Sequence, residues 1–264
     1  MRIALGLEYA GDVFEGWQSQ SHGRTVQDAV ERALSLVAGE PVRTMVAGRT
    51  DTGVHATAQV AHFDTTVQRP VTAWVRGVNT HLPPGVAIRW AVEVDARFHA
   101  RYLAYERRYR YLLYNAPVRP AVLAGRVGWF HLPLDEAKMA AAAAFLPGEH
   151  DFSAFRAASC QAKTPVRTLS EASVKRVGDM IVFDFCANGF LHHMVRNLVG
   201  ALVYIGKGAQ PPSWMAELLA SRDRAQAAPT FAPDGLYLCG VSYPPHWLLP
   251  EGGRIIVRPC FVLT

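Results

Sequence analysis

Along this chain of 264 residues the spacing of hydrophobic and polar positions changes period several times, and each change marks an element. Ile3, Leu5, Leu7 and Tyr9 alternate, which predicts a strand over residues 3–9. Val26, Val30, Ala33, Leu34 and Val37 then form one apolar stripe at helical spacing, with Thr25 as a cap and Gly39 as a stop, predicting a helix over 26–38. Residues 42–48 and 58–64 read as two further strands, separated by a polar, turn-forming stretch at 49–53. Pro70 opens a second helix to about His81, and Val86, Ile88, Trp90, Val92 and Val94 alternate as a half-buried strand. The order so far is β-α-β-β-α-β.

The remainder repeats this outline. A strand over 105–115 is followed by an Ala-rich helix at 135–146 that stops at Pro147-Gly148, then by strands at 167–177 and 180–186. A long apolar helix over 189–206, a shorter one over 212–221 and a final strand over 236–243 complete it. The pattern predicts an α+β fold of two ferredoxin-like halves, with mainly antiparallel sheets packed around a central cleft. The first half spans 1–104, the second 105–246, and a tail with little signal occupies 247–264.

Composition narrows the setting. Half of the positions are hydrophobic, enough for a substantial core, and the formal charge of +5 favours a polyanionic partner. Cys160, Cys186, Cys239 and Cys260 form no C-x-x-C pair, which argues against a structural zinc site or a disulfide framework and fits a reducing compartment. The start of the chain does not read as a signal peptide, and no run of about 18 uncharged apolar residues predicts a spanning helix.

Candidate chemistry concentrates in Gly48-Arg49-Thr50-Asp51-Thr52-Gly53-Val54-His55. Asp51 and Gly53 suit a plain turn, since Asp bonds its own backbone and Gly accepts positive φ; the same turn also displays an Arg and an Asp at the mouth of a sheet. In Tyr105-Glu106-Arg107-Arg108-Tyr109-Arg110-Tyr111, strand alternation puts Tyr105, Tyr109, Tyr111 and Arg107 on one face and the other charges opposite. That is either an aromatic core strand with a solvated basic edge or a surface suited to RNA, where Arg meets phosphate and an aromatic ring meets a base. On the predicted helix at 189–206, His192 and Arg196 share a face, while His192 and His193 diverge and lack a third ligand at zinc spacing, so no metal site is expected.

The turn closely resembles the signature of the tRNA pseudouridine synthase A family. Gly16-Trp17-Gln18, Val26-Gln27, Gly77-Val78-Asn79, Phe98-His99-Ala100-Arg101, Arg108-Tyr109-Arg110-Tyr111, Asp151-Phe152 and His192-His193-Met194-Val195-Arg196-Asn197 resemble further blocks of that family, in order, up to about Tyr243. Thr52 and Ala56 are mild departures, at positions where small residues are common in the family.

The resemblance implies conversion of uridine to pseudouridine at positions 38, 39 and 40 of the tRNA anticodon arm, by a cytoplasmic homodimer, with Asp51 as the catalytic carboxylate. It implies that Tyr109 stacks on the target uracil, that Arg196 partners Asp51, and that Arg49 assists extrusion of the nucleotide. Apart from the resemblance, Leu236 either packs under the uracil or is plain core, and Arg101, Arg107, Arg108, Arg156, Lys163, Arg167 and Arg222 either line the RNA path or are solvated surface charges. The reaction exchanges one bond for another within a nucleotide, so no cofactor is expected, and no Gly-rich phosphate loop is present. Two rival readings are a tRNA-binding protein with a dead site and a hydrolytic nucleosidase, the latter usually needing a second carboxylate.

Overall fold

The computed structural model describes residues 1–250. Contacts divide the described residues into two units: Met1–Glu106 together with 237–250, and Arg107–Leu236. The expected tail falls largely outside the described residues.

The first unit contains β1 (Arg2–Tyr9), α1 (Val26–Ala38), β2 (Thr44–Val46), β3 (His55–Asp64), β4 (Val86–Val94) and β10 (Leu236–Ser242), the last so numbered for its place in the chain. β4, β1, β3 and β2 lie side by side with antiparallel neighbours, the ferredoxin-like order. β10 pairs in parallel with the start of β3, through Tyr237 opposite His55 and Leu238 opposite Ala56. α1 begins where the sequence says, because the Thr25 hydroxyl accepts from the Asp28 N–H, and it ends at Gly39 with φ 75°. Its stripe also buries a charge. Glu31 accepts from the side chains of Gln27, Arg43 and Thr44 and from the Thr44 N–H, which is how a carboxylate is tolerated there.

The expected helix after Pro70 is shorter and contains a π-helical turn, Ala73–Gly77. The turn seats the fully buried Trp74 edge-on to Phe63, ring centroids 5.2 Å apart. Asn79 then exchanges two 2.8 Å hydrogen bonds with the Ile88 backbone, fastening the helix end to β4. Gly6 interrupts the apolar β1 because the Trp90 indole of the neighbouring strand lies where a side chain would go.

The second unit contains β5 (Glu106–Asn115), β6 (Gly128–Phe130), α2 (Glu136–Ala143), β7 (Gly148–Asp151), β8 (Val166–Val177), β9 (Met180–Ala187), α3 (Met194–Gly206) and α4 (Trp214–Ser221). β5, β9, β8 and β7 run antiparallel in that order, with β6 parallel to β5. β5, β9 and β8 thus repeat the order of β1, β3 and β2, and the fold is α+β with two ferredoxin-like halves.

The apolar run at 189–206 does not become one helix. α3 starts only at Met194, because His193 adopts φ 61°, which a right-handed helix cannot accommodate. Residues before it turn aside to bond the 157–160 segment: Ala157 N–H donates to His192 O at 3.0 Å, and His192 N–H to Cys160 Sγ at 3.4 Å. His192 therefore shares no helix face with Arg196, and the His192 and His193 rings lie 4.0 Å apart instead of diverging.

Candidate active site

The turn carrying Asp51 is tied down on both sides. β2 and β3 pair from Thr44 opposite Phe63 to Val46 opposite Ala61, and Ala47 N–H extends the ladder to Val60 O at 2.8 Å. Beyond that point the chain leaves the sheet. Thr50 is buried, its hydroxyl 2.8 Å from the Tyr9 hydroxyl, and its carbonyl accepts from Trp17 N–H at 3.0 Å. Gln59 donates from Nε2 to the Tyr9 hydroxyl (3.1 Å) and to Gly48 O (2.7 Å). Burial pushes the Tyr9 phenol up to about 12 although hydrogen bonds from Thr50 and Gln59 oppose it, so this network is neutral at physiological pH.

On the far side of Asp51, Val54 N–H closes a turn onto Asp51 O (3.1 Å), and Gly53, at φ 82°, donates to Gly11 O (3.2 Å). Gly11 N–H in turn donates to His55 Nδ1 at 2.9 Å, which fixes that imidazole nitrogen as the acceptor, and the ring stacks on Tyr237 at 4.6 Å. Two glycines permit this packing. A Cβ on Gly11 would overlap the Val54 peptide, and one on Gly16 (φ 77°) would lie 2.9 Å from Thr50 O. Asp51 itself is half-buried, flanked by exposed Arg49 and Thr52.

In the second unit, Tyr109 sits on β5 opposite Phe185 of β9. It is only 8% exposed, and its ring meets Phe190 edge-on at 5.0 Å. The basic positions of β5 are matched by acids on the neighbouring strands: Arg108 pairs with Glu171 at 2.6 Å, and Arg110 makes a two-pronged contact with Asp184 at 2.8 and 3.0 Å. Arg107 donates to Asn188 O at 3.1 Å. Two basic side chains of the edge that the sequence left as solvated or RNA-facing are thus ion-paired with acids of the neighbouring strands.

Arg196, in the first turn of α3, donates from Nε to Phe231 O at 2.8 Å, and Phe231 N–H returns a bond to Arg196 O at 3.2 Å. Its neighbour Asn197 is fully buried, donates to Phe155 O (2.8 Å) and accepts from Thr230 (2.7 Å) and Arg224 (3.2 Å). These bonds fix the rotation of α3 and hence the exit direction of the Arg196 side chain. Leu236 is 5% exposed, its N–H held by Pro233 O at 2.8 Å. Arg156 is half-buried and bonded to backbone, Lys163 is exposed, and exposed Arg101 lies 5.9 Å from the Tyr102 ring. Arg222 contacts Asp151 at 3.6 Å.

The positioning residues Tyr9, Gln59 and Asn197 were not singled out from sequence. Gln59 offered a signal, since it breaks an otherwise apolar stretch of a central strand. Tyr9 and Asn197 look like an ordinary strand residue and an ordinary helix residue.

A family model described as tRNA pseudouridine synthase matches residues 7–103 and 141–244, and the chain belongs to that family, isomerases of the pseudouridine synthase fold. More particularly, it is 66% identical over 259 residues to the tRNA pseudouridine synthase A of Aromatoleum aromaticum, covering 98% of each chain. It is 64% identical to the protein of the same name from Dechloromonas aromatica, over 95% of this chain and 96% of that one. A third relative so named, from Methylobacillus flagellatus, is 63% identical over 96% of this chain and 97% of its own. Among the described residues, no helix is long and apolar enough to cross a membrane.

Proposed function

We propose that this chain isomerises uridine to pseudouridine at positions 38, 39 and 40 of the tRNA anticodon stem-loop, with Asp51 as the catalytic carboxylate. The observation that carries the reading is the Asp51 turn: it bears the family signature, and neutral hydrogen bonds on either side hold it in one conformation. The chemistry breaks the bond between ribose C1′ and uracil N1 and joins C1′ to C5; N1 gains a proton and C5 loses one. An ionised carboxylate at the sugar or base is what that exchange requires.

In this reading Tyr109 stacks on the uracil and acts on its C5 proton, Arg196 is the cation that keeps Asp51 ionised, and Arg49 assists extrusion of the nucleotide. Leu236 packs beneath the base, while Arg101, Arg107, Arg108, Arg156 and Lys163 serve the RNA path. The enzyme acts in the cytoplasm as a homodimer and needs neither metal nor cofactor.

The test is an anticodon stem-loop carrying uridine tritiated at C5. The purified protein should release tritium to water and leave pseudouridine in the RNA, and Asp51→Ala should do neither. Tight binding without release would favour a tRNA-binding protein, and free uracil would favour a nucleosidase.

A further inference from the structure

Between Asp151 and Glu171 the chain has no acidic residue, yet it carries Arg156, Lys163 and Arg167. Three other arginines of the same unit are held by carboxylates, Arg108 by Glu171, Arg110 by Asp184 and Arg176 by Glu136, while Arg107 and Arg196 bond carbonyls. Arg156 and Arg167 are held by backbone carbonyls. Arg156 donates from Nη2 to Cys160 O (2.6 Å) and Ala162 O (2.9 Å); Arg167 donates from Nη1 to Thr164 O (2.9 Å) and Val166 O (2.5 Å). A carbonyl dipole fixes a guanidinium without cancelling its charge, and these carbonyls take up Nη2 of Arg156 and Nη1 of Arg167.

The two guanidiniums share Cys160 as a neighbour. Arg167 is half-buried, and burial above all holds its pKa below the ordinary arginine value, against an opposing pull from Cys160 and with a smaller contribution from the charge of Arg156. Like charges with a thiol and no carboxylate of their own segment beside them are eased further by an anion. The loop is also fastened in place: Ser159 Oγ lies 3.0 Å from His192 Nδ1, in addition to the backbone bonds that join residues 157 and 160 to His192. On the open side, a Cβ at Gly189 would lie 3.5 Å from Arg167 Nε, so the missing side chain leaves that edge of the fork uncovered.

We propose that Arg156 and Arg167 form a preset clamp for one phosphodiester of the bound RNA, gripping it through the guanidinium edges that the loop carbonyls leave unused, with Lys163 at the rim. The clamp rests on the tRNA-modifying reading, which supplies the polyanion. It is a positioning device: it holds the strand and does not touch the reacting uridine.

The experiment uses Asp51→Asn protein, which binds without turnover, and measures tRNA affinity between 50 and 300 mM salt. Each lost phosphate contact lowers the slope of log K against log salt by about 0.7–0.9. Arg167→Gln should weaken binding about tenfold at low salt and lower the slope by about one contact. Arg156→Lys keeps the charge while losing the fork, and should weaken binding with less change in slope. Lys138→Gln, on α2 beside Asp135, should change neither. A second readout is alkylation of Cys160, followed by peptide mapping, which tRNA should slow at least fivefold and inorganic phosphate at matched ionic strength should not.

An Arg167→Gln slope equal to that of the unsubstituted chain, or Cys160 unprotected by bound tRNA, would overturn the clamp. If the wild-type chain makes no pseudouridine, the functional reading fails instead, so the two failures are distinguishable.

Discussion

The loop that carries Asp51 and the loop between Arg156 and Arg167 are both rigid, but they are made rigid by opposite means. Around Asp51 the bonds are between neutral groups: the Tyr9, Thr50 and Gln59 side chains satisfy one another, and Gly11 ties Gly53 to His55. Around Arg156 and Arg167 the bonds run from cations to carbonyls, and the charge is left over. A reacting carboxylate is best held by a frame that adds no charge and does not titrate with it, whereas a polyanion is best met by cations fixed before it arrives, because the ordering entropy is then already spent. The difference between the loops is thus a division between chemistry and grip.

The comparison is broken most completely at Gly11. Replacing it with Ala puts a Cβ into the Val54 peptide, a collision with backbone and not with a flexible side chain. We expect a loss of about 3 kcal/mol or more in denaturant unfolding. Pseudouridine formation should fall at least a hundredfold even at temperatures where the protein stays folded, because the turn must shift. A folded Gly11→Ala protein with near-normal activity would show that the turn is not the rigid frame described. Gly189→Ala, in the second unit, meets only the far part of Arg167 at ordinary contact distance, and should leave stability unchanged within about 0.5 kcal/mol.

Much of this was legible in the sequence, and the reasons for the exceptions are physical. β1, α1, β4, β5, β8 and β9 declare themselves by period, because each has one buried face and a cap or turn at its ends. The Asp51 turn was legible as a motif. What escaped were features set by partners distant in the chain. The neutralising acids for Arg108 and Arg110 lie 63 and 74 residues away, and nothing in the pattern of β5 announces them. The early stop at His193 is invisible in an apolar run, since it is imposed by bonds to the 157–160 segment. The neutral network under Asp51 joins β1 to Thr50 of the turn and to Gln59 of β3, across 41 and 50 residues, and a tyrosine ending a strand gives no hint of it.

A smaller effect is expected from Tyr9→Phe. At neutral pH it leaves the Thr50 hydroxyl and one Gln59 donor without their buried partner, a cost of about 1–3 kcal/mol. Alkaline titration sharpens the point. With a folded-state pKa raised to about 12 against about 10 when unfolded, the phenol's contribution is complete below pH 10 and is lost as pH rises through 12. The stability difference between wild type and Tyr9→Phe should therefore shrink by about 1 kcal/mol between pH 9 and pH 11, in urea melts at both values. A constant difference would mean that the phenol is not desolvated and that the turn rests on something else.

The smallest effect belongs to the charged loop and reads its excess directly. Burial would raise the Cys160 thiol, but the backbone N–H groups of Ala162 and His192, together with the Arg156 guanidinium, outweigh it and hold the pKa below the ordinary thiol value. A group so shifted reacts as the thiolate at lower pH than a free cysteine. The midpoint of its alkylation rate against pH should therefore fall below that of a cysteine peptide measured alongside. Arg156→Gln removes both the nearby charge and the brace on Cys160 O, so the midpoint should move upward, by a change of a few-fold in rate at neutral pH. The direction is what matters: an upward move says that the loop's positive charge is felt at the thiol and is available to an anion, while an unmoved midpoint says that solvent already screens it. In the second case the two loops would differ in their bonding but not in their electrostatics, and the division between chemistry and grip would have to rest on shape alone.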